Sequence, residues 1–242
     1  MSEYFSIQLP SKCKLYPDVQ PSKVLIRPFT GKEEKAIADA TPQNFDVKFQ
    51  QILASVVQGI DVNKLTLGDR KYIMLWLVIN SYSPKFPVSF ECDTCNARLE
   101  MDVDLSQMLS EDLPDTYTEP MEIDLPSGNK IKLRLLRVED ELKANALEKS
   151  GQNVWLMRYA ASIVPDDTKV SVLDRAVSME SMSTKDIAMI RAFHEKYEHG
   201  PKMESEYTCG KCGGDGLVAV PFRLQMFLPS GEVLKRYFGK TM

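Results

Sequence analysis

Cys92-Asp93-Thr94-Cys95 and Cys209-Gly210-Lys211-Cys212 each place two thiols three positions apart, and 113 residues separate one pair from the other. No other feature constrains the chain so tightly. One such turn supplies half of a tetrahedral metal site, so a single site needs the chain to fold back and join the two. Loop-closure cost grows only logarithmically with length, which makes so long an insertion tolerable. Of five cysteines in the 242 residues, only Cys13 lies outside the pairs, and it reads as a small hydrophobe.

A C-x-x-C can also be a redox pair. A thioredoxin-like pair opens a helix, whose N-terminus lowers the pKa of the attacking thiol. Here Cys95 leads into alternating Leu99, Met101, Val103 and Leu105, and Cys212 into Gly213-Gly214. Neither begins a helix. Structural Zn2+ on Cys92, Cys95, Cys209 and Cys212 is therefore favoured over redox chemistry and over unmetallated buried thiols. Two separate two-cysteine sites completed by partner chains stay open as an arrangement. The glycines after Cys212 permit the left-handed backbone that a knuckle turn needs.

Around the pairs, the apolar pattern changes period several times. The N-terminal segment is extended and punctuated by Pro10, Pro17, Pro21 and Pro28, with a short strand at 23–27. Thr30 and Glu33 make a capping box before a helix over 31–40. Phe45, Phe49, Ile52, Leu53, Val56 and Ile60 recur at helical spacing over 44–59, and Thr66 with Asp69 opens a third helix over 67–80. The middle of that third helix is apolar nearly all round, which marks it as the most buried. From Pro84 the period becomes two, giving a hairpin with the first cysteine pair at its tip. Residues 106–120 read as an acidic connector, and 121–136 as a hairpin turning at Ser127-Gly128-Asn129. Helices are expected over 138–149, over 153–163 and from Ser183 to about His199, before extended chain returns around the second pair.

The expected fold class is α+β: an N-terminal helical region, a discontinuous zinc-ribbon-like pair of β hairpins carrying the four cysteines, and a helical and hairpin insertion between the two halves. The parts are an N-terminal extended segment with helices (1–82), the first zinc-ribbon hairpin (83–105), an inserted hairpin plus helices (106–200), and the second zinc-ribbon hairpin with an aromatic tail (201–242). No short-period repeat or low-complexity tract is present, and the two C-x-x-C hairpins are the only internal echo read.

Several functions are disfavoured. A net charge of −4 argues against a dedicated nucleic-acid binder. A zinc-ribbon nucleic-acid-binding factor, the rival reading, needs basic residues at the knuckles. Lys85 and Arg98 face Glu91, Asp93 and Glu100 at the first, while Lys202 and Lys211 face Glu204, Glu206 and Asp215 at the second. The start of the chain lacks a basic-then-apolar leader, and the apolar run Tyr72–Ile79 is far too short to span a bilayer, so no membrane association is expected. In HEKYEH the histidines His194 and His199 lie five apart, which turns the second about 140° from the first on a helix. They read as exposed helix-end residues rather than metal ligands. No nucleophile elbow, P-loop or dinucleotide fingerprint occurs, and an enzyme is not expected. The C-terminal aromatics Phe227, Tyr237 and Phe238 interleave with Lys235, Arg236 and Lys240. They either dock on a partner or cap the chain's own core.

IRPFTGKEEKAIADA (Ile26 to Ala40), DRKYIMLWLVINSYSPKFPVSFECDTC (Asp69 to Cys95) and YTCGKCGGDGLVAVPF with the later Phe227-Leu228-Pro229 resemble the T4-like bacteriophage baseplate hub and hub-assembly family of contractile tails. The likeness is sharpest over 23–105 and 205–229, and no motif is carried over 106–200. It implies a late, non-enzymatic protein that helps build the hub, as a chaperone-like assembly factor or a structural subunit. Its partners would be other hub and tail proteins, in a hetero-oligomer. Its place would be the host cytoplasm during assembly and, for a retained subunit, the virion baseplate.

Overall fold

The computed structural model describes residues 3–41, 44–148, 154–220, 222–229 and 231. In chain order the first half holds β1 (Phe5–Ser6), β2 (Leu25–Ile26), α1 (Gly31–Ala38), α2 (Phe45–Val56), β3 (Val57–Gln58), α3 (Leu67–Ser81), β4 (Lys85–Glu91) and β5 (Arg98–Asp104). The second holds β6 (Ser110–Glu111), β7 (Met121–Asp124), β8 (Lys130–Leu133), α4 (Val138–Glu148), α5 (Val154–Ser162), β9 (Ile163–Val164), α6 (Val172–Glu180), α7 (Thr184–Lys196), β10 (Gly200–Pro201), β11 (Glu204–Thr208), β12 (Asp215–Ala219) and the short α8 (Leu224–Phe227). This is the expected α+β mixture of helices with small antiparallel sheets.

The two halves are built on one plan. β1, β2 and β3 form an antiparallel sheet with β2 central, and β7, β8 and β9 form another with β8 central. Just past each central strand an arginine N–H donates to the end of the unit's second helix: Arg27 to Val56 O at 3.1 Å, Arg134 to Ser162 O at 2.9 Å. Its guanidinium forks onto an acid six residues later, Glu33 at 2.9 and 3.1 Å or Asp140 at 2.7 and 2.9 Å. That acid also accepts from the backbone N–H three residues before it, Thr30 at 2.9 Å or Arg137 at 2.8 Å. Paired charges of this kind are costly to bury unless every oxygen is engaged, and here the fork and the cap engage them together.

The likeness continues along each half. The turn after the first strand reads Leu9-Pro10-Ser11 in one and Leu125-Pro126-Ser127 in the other. Each serine N–H donates to an aspartate in the first turn of a later helix, Ser11 to Asp69 at 2.9 Å and Ser127 to Asp186 at 3.0 Å. Those helices, α3 and α7, are capped by hydroxyls that accept from the same aspartates' N–H, Thr66 at 3.2 Å and Ser183 at 3.1 Å. Each helix then leads into a cysteine hairpin, β4–β5 or β11–β12. The cysteine hairpins are therefore not the only internal echo, because a whole unit recurs over about 5–104 and 121–219. The second unit carries an added helix, α6, which the apolar pattern did not reveal although Ser171 and Asp174 make a capping box for it.

Two apolar cores follow the two units. The first gathers Phe49, Leu53, Ile73, Leu77 and Val78 with Val220, Met226 and Phe227 from the C-terminal stretch. The second gathers Leu133, Ala160, Met179, Ile190 and Phe193. Between the units, β6 in the expected connector pairs with β10, and Thr66 bridges Arg137. A buried polar knot reinforces this seam: Tyr16 Oη donates to Asp69 Oδ2 at 2.6 Å, and His199 Nε2 lies 2.7 Å from Thr66 Oγ1. The expectation of two exposed histidines is corrected by this packing. Because α7 stops at Lys196, His199 falls on the following turn and is buried against α3, where Gly68 and Gly200 approach too closely to admit a Cβ. His194 lies among Phe193 and Tyr159, and burial pushes its pKa down to about 4.

Candidate metal centre

Both hairpin tips close with the same backbone geometry. In the first, Cys92 N–H donates to Ala97 O at 2.9 Å and Asn96 N–H donates to Cys92 O at 2.8 Å. In the second, Cys209 N–H donates to Gly214 O and Gly213 N–H to Cys209 O, each at 2.8 Å. The residue four positions after the first cysteine is left-handed in both, Asn96 with φ 55° and Gly213 with φ 70°. Gly213 was legible as such a position. Asn96 was not, although asparagine is among the few non-glycine residues that adopt this conformation routinely.

The fold brings all four paired cysteines together, and their sulfurs lie within 4.8 Å of one another. Cys92 Sγ stands 3.8 Å from Cys212 Sγ, and Cys95 Sγ stands 3.8 Å from Cys209 Sγ, so each close pair crosses between hairpins. A tetrahedron with Zn–S bonds of about 2.3 Å has S···S edges of about 3.8 Å. The spacing therefore fits one four-thiolate ion, and four cysteines so placed could bind a metal. Cys92 and Cys209 are buried, whereas Cys95 and Cys212 are exposed.

The electrostatics point the same way. The Cys95 and Thr94 amides draw the Cys92 thiol down to about 6, and the Cys212 and Lys211 amides lower Cys209. At Cys212 the Gly214 amide pulls downward, but the neighbouring sulfurs outweigh it and raise the thiol to about 12. Four clustered thiolates repel one another, and a divalent cation at their centre reverses that repulsion. No helix starts at either tip, so the arrangement lacks the dipole that activates a redox pair.

Besides the sulfurs, a small apolar cluster joins the two hairpins, with Phe90, Leu99 and Met101 of the first packed against Tyr207 and Val218 of the second. β4–β5 and β11–β12 form separate two-stranded sheets. Such sheets are marginal alone in water. Across the gap, Tyr207 packs edge-on to Phe90 at 4.6 Å, and its hydroxyl accepts from Asp93 N–H at 3.2 Å. Gly216 opposite leaves room for the Tyr207 ring. The buried cluster consists of Cys92, Tyr207, Cys209 and Val218. Nothing in the residue pattern singled out Tyr207, since its role depends on a strand 117 positions away.

The other candidates fall elsewhere. Cys13 is buried, and burial with the nearby Asp69 charge raises its thiol to about 11, which suits a packed side chain. Phe227 is 2% exposed, edge-on to Phe49 at 4.7 Å, and its carbonyl accepts from Tyr82 Oη at 2.8 Å. Of the two readings of the aromatic tail, this side chain takes the core-capping one. Tyr237 and Phe238 lie outside the described residues.

Fold and site together define an α+β protein of two like units whose cysteine tips meet in a four-sulfur cluster. Among the described residues, no helix is long and apolar enough to cross a membrane. The chain belongs to the family described as T4 bacteriophage base plate protein, whose family model it matches over residues 1–229. No curated protein and no solved structure matches it. It is thus a structural baseplate protein of a phage.

Proposed function

We propose that the protein works in the central hub of the baseplate, as a hub subunit or a chaperone-like hub-assembly factor, without catalysing a reaction. We further propose that Cys92, Cys95, Cys209 and Cys212 hold one structural Zn2+. The family match over 1–229 is the observation that carries the baseplate role. The likeness of residues 26–40, 69–95 and 207–222 to hub proteins supports the finer assignment. Sulfur spacing at the edge length of a zinc tetrahedron supports the metal.

Zinc here would be a staple, fixing the tip of one unit to the tip of the other. The chain's own residues do the rest: knuckle amides steady the thiolates, and Tyr207 with Phe90 excludes water from one side. The rigid pair then presents a defined surface to other tail proteins, in the cytoplasm of the infected cell and, for a retained subunit, in the virion. Proteomics of purified particles tests the role, since a subunit is present in stoichiometric amount and an assembly factor is absent. Elemental analysis of reduced protein tests the metal. About one zinc per chain is expected, and metal-free protein refutes the site.

A further inference from the structure

In the first unit, the face formed by α2 and α3 is covered by the chain's own C-terminal stretch. Phe227 fills it, edge-on to Phe49, with its carbonyl held by Tyr82 Oη. The units superimpose in sequence at the hydrogen bonds that close their sheets (Val56, Ser162) and at their helix caps (Thr66, Ser183). Trp155 then takes the place of Phe49, His194 that of Leu77, and His199 that of Tyr82. At these counterparts, a cavity of about 290 Å³ is lined by Trp155, Arg158, Tyr159, Arg191, His194 and His199 of the second unit, with the start of α3 as its other wall. Phe49 is 1% exposed while Trp155 is 44% exposed. The position is filled by Phe227 in one unit, whereas in the other, among the described residues, a cavity stands there.

The cavity also has unmet chemistry. Among the described residues, Arg158 Nε and His194 Nε2 are buried without a hydrogen-bond partner. Leaving such atoms unsatisfied in the folded state is unfavourable, because each has lost its hydrogen bond to water and gained none in return. A guanidinium Nε can only donate, so it calls for an acceptor oxygen. In the first unit, the Phe227 carbonyl is such an oxygen, accepting from Tyr82 Oη. At the rim, Arg191 is exposed and makes no ion pair among the described residues, whereas Glu198 is held by Lys71 at 2.7 Å. The volume is at the small end for ligand pockets, about 300–1,000 Å³. It suits a side chain better than a nucleotide or cofactor.

We propose that this cavity is the docking site for a segment of another baseplate protein, which inserts an aromatic side chain and offers a carbonyl or carboxylate oxygen to Arg158 and His194. The occupant would reproduce in the second unit what Phe227 does in the first. A second copy of the chain fits less well, because its own aromatic plug is already engaged. The proposal rests on the reading of the protein as a baseplate component that binds other tail proteins.

The test uses the full-length protein. An acetylated, amidated peptide of the chain's own sequence from Phe222 to Pro229 is titrated while the Trp155 indole N–H signal is followed by NMR. A saturable shift is expected, and replacing the phenylalanine that corresponds to Phe227 by alanine weakens binding by about tenfold or more, equivalent to about 1.4 kcal/mol. In parallel, each purified baseplate protein of the same phage is assayed against the wild type, Trp155→Ala and Arg191→Glu. Both side chains are exposed, and melting temperatures report that the variants fold. At least one partner should lose about tenfold or more in affinity for both variants. An unmoved Trp155 signal, or partners that bind both variants as tightly as the wild type, overturns the proposal while leaving the hub reading intact. A wild type that dimerises through this face, with monomeric variants, makes a second copy the occupant and overturns it too. Failure of every baseplate protein to bind the wild type overturns the broader reading.

Discussion

Cys95→Ser separates a metal ligand from a packed thiol better than a change at the buried Cys92 or Cys209, because Cys95 is exposed. If the sulfur only sits at the surface, serine replaces it at a cost within about 0.5 kcal/mol. If the four sulfurs hold zinc, one ligand of four is lost. Zinc at about a thousand times its dissociation constant contributes about 4 kcal/mol to the folded state by linkage. For a chain of this size, that is about 8–16 °C of melting temperature, against about 2 °C or less for a surface effect. Thermal unfolding followed by circular dichroism, with zinc in modest excess, reads the global shift. Hydrogen exchange over β11 and β12 reads the local one, since the hairpins are otherwise joined by the small apolar cluster around Tyr207 and Phe90 and by the Tyr207 hydroxyl. The wild type should protect these strands, and Cys95→Ser should lose both protection and bound zinc. A variant that keeps zinc and melts within about 2 °C of the wild type refutes the metal assignment, whatever the sulfur distances.

Two further outcomes follow from the cores. Glu33 is held down to about 2, chiefly by the Arg27 guanidinium and then by Thr30, so its folded pKa lies below the unfolded value. The resulting stability is full above the unfolded pKa and is lost as pH falls toward 2; Glu33→Gln should cost roughly 3 kcal/mol at neutral pH in urea unfolding and almost nothing near pH 2. Phe227→Ala should destabilise by about 3–5 kcal/mol, because it empties a site bounded by Phe49 and Phe222. A loss below about 1 kcal/mol would mean that the C-terminal stretch does not cover the first core.

The parts legible in the sequence are those governed by neighbours along the chain. Thr30 with Glu33, Thr66 with Asp69, and Ser183 with Asp186 announce helix starts, because a cap and its partner are three residues apart. The period-two stretches on either side of Cys92 and Cys95 announce the first hairpin for the same reason. The cysteine types and spacing also marked the cluster, since few other arrangements use two C-x-x-C turns. What stayed hidden depends on distant partners. Arg27 with Glu33 reads as an ordinary acid beside a helix until Arg134 with Asp140 is seen to repeat it. The repeat itself is masked by shifting offsets: Ser11 matches Ser127 across 116 positions, Arg27 matches Arg134 across 107, and Thr66 matches Ser183 across 117. His199 looked exposed because the helix was carried to its position, and only the packing of Gly200 on Gly68 shows that the chain has turned inward.

The duplication explains why the cysteine pairs lie so far apart. Each unit ends in a knuckle with two thiols, too few for a structural zinc site by itself. Joining two units in one chain supplies both halves at high effective concentration, and the entropy of the long loop is largely offset because the intervening residues form the second unit's own core. The spacing of 113 residues is then the length of the second unit with the segment joining it to the first, rather than an insertion into a ribbon. The units differ at the helix faces beside Phe49 and Trp155. The first closes its helix face with Phe227, whereas among the described residues the second has a cavity beside Trp155 at the matching face and carries the added α6. A metal staple on the four cysteines at the tips would hold these two unlike faces in fixed relation, as the proposed role among other tail components requires.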